Sequence, residues 1–256
     1  MCFPTNSPNI SSSSHTFFLT RLSIPHHLLT PLNTLKNLSQ EAGNMSAIFT
    51  FLVGLLATLG AAETRGITPH DMYSSSVGVL GCKINTNRVA YWPMAVDCDN
   101  ICVRVSHNGR SVDLLRIDQS GGAYDISYDA WAFLQTGQSA RGNPITGGAV
   151  NMEIKTIPAD NCLKLMKSGG LPLSASNSIN YVAGCLGNSN SFVAKHFQLF
   201  NIQDPVCHWG YDEQCKLDLA VSNQPSCPHA LGSTKGRLPD TVFNIQYGTG
   251  KVVAAP

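Results

Sequence analysis

Two carboxylates, Asp118 and Asp125, flank the glycine pair Gly121-Gly122. Acids brought together by one loop can share a cleft. There, one protonated carboxyl donates to a leaving-group oxygen while the other activates water, at a separation of roughly 6.5–9.5 Å in inverting glycosidases. The donor needs a pKa raised by partly apolar surroundings, which Tyr91, Tyr124 or Trp131 would supply. Tyr91, Trp92 and Tyr124 form a second constellation, because aromatic faces can stack on the apolar faces of sugar rings. Simpler readings stand beside these. Asp125 precedes a helical run, where an acid caps backbone N–H groups and favours the helix dipole. Trp131 and Phe133 fit the buried face of that helix.

The acids are positioned by a short β-rich stretch. Ile101–Val105 alternates as a strand, and His107-Asn108-Gly109-Arg110 is a tight hairpin turn, since Asn-Gly tolerates positive φ. Ser111–Ile117 returns as a second strand that ends at Asp118. Tyr124–Ser127 leads into a helix over Tyr128–Leu134. Asn87–Trp92 reads as the first strand, after a loose leader over 63–76, and Ala149–Ile157 as the last, after a Gly/Asn/Pro-rich loop over 138–148. Beyond it the sequence predicts a helix over 160–167, stopped by Gly169-Gly170, and another over 176–186. A strand at Phe197–Ile202 and a cysteine- and proline-punctuated loop over 207–232 follow. A final hairpin is centred on Gly248-Thr249-Gly250. No internal repeat is present.

This order of elements resembles the six-stranded double-psi β-barrel of barwin, the expansins, rare lipoprotein A and the related barrel endoglucanases. The matching residues are Cys98 and Cys102, Val103-Arg104-Val105, Ile117-Asp118, Asp125-Ile126-Ser127 with Ala130–Leu134, and Gly148–Pro158. The resemblance spans about residues 77–162, which defines the expected barrel domain. It implies a mainly β fold, with residues 163–256 a helical and loop-rich, disulfide-rich extension packed on the barrel. In the endoglucanases the acid of the His-Phe-Asp element is the general acid, which corresponds to Asp125. Two departures follow. Pro93 fills the place where those enzymes keep the Asp of a Tyr-Trp-Asp base, leaving Asp97 or Asp99 as the nearest substitutes. Ala123-Tyr124 replaces the His-Phe. The resemblance therefore implies a non-hydrolytic protein that binds a polysaccharide or cell-wall glycan. The enzymatic alternative is glycan cleavage by Asp118 and Asp125, and a third is a secreted effector or protease inhibitor with a host-protein partner.

Composition narrows the setting. Charged residues make up only 13%, with 17 basic against 16 acidic, so there is no basic excess to support binding to nucleic acid or an anionic membrane. The apolar run 47–59 followed by Gly60-Ala61-Ala62 reads as a signal peptide over 45–62, cleaved after Ala62. It is short for a spanning helix, which needs about twenty residues. Residues 1–44, with the single acid Glu41, are read as an extension upstream of a true start at Met45. The rival is a targeting presequence, for which Arg21 and Lys36 are few basic residues. Removing 1–62 leaves Cys82, Cys98, Cys102, Cys162, Cys185, Cys207, Cys215 and Cys227, an even set that in a secreted chain implies up to four disulfides of unreadable connectivity. Pairing explains Cys207-His208, Cys215 and Cys227-Pro228-His229 better than a zinc site does, so no metal and no cofactor is expected. His70, His107 and His196 have no partner pattern and are assigned to surface or packing. Nucleophile-elbow, P-loop and His-Glu-x-x-His patterns are missing from the sequence.

Overall fold

The computed structural model describes residues 62–256. The expected upstream segment, the apolar run of the signal peptide and Cys2 lie outside them. Six strands close into a barrel: β1 (Glu63–His70), β2 (Val89–Trp92), β3 (Cys102–His107), β4 (Arg110–Gln119), β5 (Tyr124–Ser127) and β6 (Val150–Thr156). Their order around the barrel is β1-β5-β2-β4-β3-β6, closed by β1 against β6. β1 with β5 and β2 with β4 are parallel pairs, and the remaining pairs are antiparallel.

The chain organises these strands locally. The β3–β4 turn has Asn108 at φ 50° and Gly109 at φ 72°, a pair of left-handed residues whose twist matches that of the flanking strands. The stretch expected to be a loose leader instead supplies β1, so the barrel begins at Glu63 and not near residue 77. Gly66 and Pro69 disguise it. Pro69 is tolerated because β1 pairs with β6 over 63–67 and with β5 over 67–70, so the proline half is bonded along one edge.

Alternation divides the apolar residues into two cores. Ile67, Ala90, Val103, Leu114, Ile126 and Met152, one from each strand, fill the lumen. Helix α1 (Tyr128–Thr136) joins them through Trp131, whose indole N–H donates to the Ile67 carbonyl at 3.1 Å. The opposite faces of β2, β3 and β4, through Val89, Tyr91, Cys102, Leu115 and Ile117, pack against the C-terminal half. That half contains a 3-10 helix (Ala159–Leu165), where a longer helix was expected, and helices α2 (Ile179–Leu186) and α3 (Phe192–His196). It also contains the sheet β7 (Leu171–Ser174), β8 (Phe197–Ile202) and β9 (Gly210–Cys215), the last within the expected loop region. Hairpin β10 (Phe243–Ile245) and β11 (Val252–Ala254) ends the chain.

All eight cysteines of the described residues are paired. Cys82–Cys207, Cys98–Cys185 and Cys102–Cys162 tie the barrel half to the C-terminal half, and Cys215–Cys227 closes a local loop. Four disulfides are typical of extracellular proteins. Among the described residues no helix is long and apolar enough to cross a membrane.

Candidate functional site

Pairing across four adjacent strands sets one lateral row. Thr68 of β1 faces Asp125 of β5, Asp125 faces Tyr91 of β2, and Tyr91 faces Asp118 of β4. Laterally paired residues project from the same side of a sheet, and Tyr91 belongs to the outer core, so the row lies on the outside of the barrel. Asp118 reaches it through a bulge. Ala90 pairs with Arg116 but Tyr91 pairs with Asp118, so one extra residue on β4 re-aims the strand end. Asp118 and Asp125 therefore lie on one face of the sheet. Their strands stand two spacings apart, about 10 Å at the backbone.

The two acids differ in what holds them. The Asp118 carboxylate accepts three hydrogen bonds. Its Oδ1 accepts from the backbone N–H of Ser76 at 2.9 Å and of Gln119 at 2.8 Å, and its Oδ2 accepts from the Ser74 hydroxyl. It is the anchor of the segment 71–79 that crosses this side of the barrel. Asp125 accepts from the Thr68 hydroxyl. It is a strand residue, and the helix N-cap is Ser127, which makes no side-chain capping bond, so the expected capping role does not describe Asp125. The capping-region acid is Asp129, buried and bonded to Arg88 at 2.9 Å, to the Ala140 N–H at 3.0 Å and to the Ser139 hydroxyl.

Tyr91 stands between the acids and is only 4% exposed. Burial first, then the charges of Asp118 and Asp125, push its phenol pKa up, so it stays protonated. The His70 ring lies 4.5 Å from the Tyr91 ring, and His70 pairs laterally with Ser127. His70 was assigned to surface or packing. The signal that would have found it is the alternation Thr68, His70 along a strand that the sequence hid. A narrow pocket here is lined by His70, Asp71, Tyr91, Ser127 and Phe243. The Ser127 hydroxyl is buried in it without a hydrogen-bond partner among the described residues.

The proposed aromatic platform divides differently. Trp92 and Tyr124 lie on the lumen side, opposite Tyr91 and the acids. Trp92 is 4% exposed, its ring 5.3 Å from that of Tyr124, so neither Tyr91 nor Trp92 offers an open ring face. The Arg116 guanidinium is 5.8 Å from the Trp92 ring, and that of Arg65 is 5.5 Å from the Tyr124 ring. Burial lowers the Arg116 pKa, and this group donates to the carbonyls of Met94 at 3.2 Å and of Ala95. Of the three aromatic candidates, Tyr124 alone is partly accessible.

No family model, curated protein or solved structure matches this chain.

Proposed function

We propose that this chain is a secreted, non-hydrolytic glycan-binding protein, its barrel of the double-psi type found in the expansins and barwin. Support for the barrel type comes from two parallel strand pairs inside a six-stranded closed barrel. Support for secretion comes from the four disulfides and the apolar leader. One observation carries the choice of binding over cleavage. Asp118 already accepts three hydrogen bonds, from Ser74, Ser76 and Gln119, and the buried Tyr91 stands laterally between it and Asp125, where hydrolysis needs a water. The row offers Thr68, His70 and Asp125 as hydrogen-bonding groups for sugar hydroxyls.

The test is retention of the secreted protein on cellulose, chitin and plant or fungal wall fractions, with a reducing-sugar assay on the same materials. Retention without sugar release is expected, and Asp125→Ala should weaken it. Release of reducing sugar by wild type, lost in a folded Asp125→Asn variant, would establish the rival in which Asp118 and Asp125 cleave glycans. A protein partner is the second reading, favoured by Leu219 and Val221, 44% and 82% exposed on one turn. Failure of both retention and cleavage on every glycan moves it to the front.

A further inference from the structure

The barrel row supplies polar groups, yet its aromatic residues are buried. The exposed rings beside it come from the opposite end of the chain. Phe243, in β10, is 55% exposed, and Tyr247, in the turn that follows, is 37% exposed. That hairpin is fastened to the barrel half at several points. The Tyr73 N–H donates to Asn244 Oδ1 at 3.0 Å, and the Tyr247 N–H to Asp71 Oδ2 at 2.8 Å. The Tyr247 hydroxyl donates to the Gly147 carbonyl at 2.7 Å and accepts from the Gly147 N–H at 2.6 Å. Gly248 and Gly250 hold the turn at φ 71° and 68°, and a Cβ on Gly250 would stand 2.5 Å from the Ala140 carbonyl oxygen. Phe243 is therefore an exposed ring on a fixed backbone, an arrangement that presents apolar area at little ordering cost on binding.

Phe243 is also a wall shared by two depressions. On one side lies the narrow pocket with His70, Tyr91 and the unpartnered Ser127 hydroxyl, whose volume of about 20 Å³ has room for a water-sized group. On the other is a cleft of about 450 Å³ that reaches Arg141, Lys167 and Asp240. The two have Thr86, Asn87, Phe243 and Ile245 in common, so they form one furrow with the ring at its middle. Its charged residues nearly balance, Asp71, Asp129 and Asp240 against Arg141 and Lys167, with Asp129 already paired to Arg88, which suits an uncharged ligand. An apolar ring between polar depressions matches a molecule with apolar faces and hydroxyl edges repeated along its length.

We propose that this furrow binds an extended, neutral oligosaccharide chain, with Phe243 stacking on one sugar ring, the larger cleft taking the units that follow it and the narrow pocket admitting a single hydroxyl. The inference rests on the glycan-binding reading above and assigns its ligand class and its principal contact residue. The test uses the secreted protein with cello- and chito-oligosaccharides of two and six units, followed by calorimetry and by amide chemical shifts. The six-unit chain of one series should bind at least about tenfold more tightly than its two-unit counterpart, because only it covers the Phe243 ring and also runs the length of the larger cleft. Phe243→Ala should lose about tenfold of that affinity, the scale expected for withdrawing part of one aromatic face, and Phe243→Trp should keep it. Thr86 and Asn87 amides of the wild type should shift on titration, a readout independent of how any variant folds. Unchanged affinity in Phe243→Ala, or wild-type shifts confined to other regions while insoluble glycan is still retained, overturns the furrow and leaves the glycan-binding reading standing. Absence of any glycan binding by the wild type overturns both.

Discussion

Replacing Asp118 separates an anchoring carboxylate from a chemical one. In Asp118→Ala the Ser76 N–H and the Ser74 hydroxyl lose their acceptor, and the Gln119 N–H keeps only its 3.1 Å bond to the Ser76 hydroxyl oxygen. Each such bond contributes about 1 kcal/mol net, more when the acceptor is charged. The site is only half-buried, so water recovers part of the loss, and the expected cost is about 2 kcal/mol. For a domain of this size that lowers Tm by about 4–8 °C. Asp118→Asn keeps an amide oxygen for the two backbone N–H groups, and its NH2 can face the Ser74 oxygen, so it should melt much nearer to wild type. The assay is thermal unfolding followed by circular dichroism, with glycan retention measured well below each midpoint. Retention should be nearly the same in all three proteins. An alanine variant that melts like wild type would refute the anchoring role. An asparagine variant that melts like wild type but abolishes a wild-type cleavage activity would make Asp118 a base, and the argument against hydrolysis would fail.

Three further outcomes are expected. Unfolded, unreduced protein secreted without residues 1–62 should take up no alkylating reagent and should take up eight equivalents after reduction, read by mass spectrometry; two or more free thiols before reduction would contradict the four disulfides. Trp92→Ala should destabilise by about 3–5 kcal/mol, because it removes a buried aromatic from the lumen, so a variant with an unchanged denaturant midpoint would contradict that placement. Asp113 and Asp97 should contribute to acid unfolding. Burial opposes the charge of Asp113, but the hydrogen bonds and charges of Arg104 and Lys164 outweigh it and hold the pKa below the usual value. Burial likewise opposes the charge of Asp97, where the Asn100 and Asp99 N–H groups prevail. A depressed folded pKa gives stability that is complete above the unfolded value of about 3.9 and is lost as pH falls through the folded one. Melting temperature should therefore fall below about pH 4, less steeply in Asp113→Asn, and parallel curves for the two proteins would exclude Asp113 as a source.

What could be read from the sequence was what local chemistry dictates. Asn108-Gly109 announced its turn, and the apolar alternation around it announced β3 and β4. The two acids were recognisable as neighbours because a short glycine loop joins their strands. β1 was hidden because Gly66 and Pro69 interrupt it, and its partners lie in β5 and β6, far along the chain. β7 contains Pro172 and runs along a sheet edge, where a proline is tolerated. β9 is mostly polar and gave no apolar signal. The aromatic grouping failed for a reason the sequence did contain. Successive strand residues face opposite sides, so Tyr91 and Trp92 were bound to separate, as were Tyr124 and Asp125. Phe243 was out of reach, since only the folded chain brings a residue so near the C-terminus beside His70.

The pairing of β1 also constrains how the molecule comes into being. Glu63–His70 leads the described chain, but its partners end only at Ser127 and Thr156. During synthesis or export this strand must wait, with both edges open, until more than half of the barrel sequence has followed it. Local pieces such as the β3–β4 hairpin can form meanwhile, whereas closure depends on contacts remote in sequence and is correspondingly slow. Throughout that interval the unpaired edges of β1 are free to join a strand of another chain. The yield of native protein would then be set by how quickly β6 arrives, and by what shelters the first strand until it does.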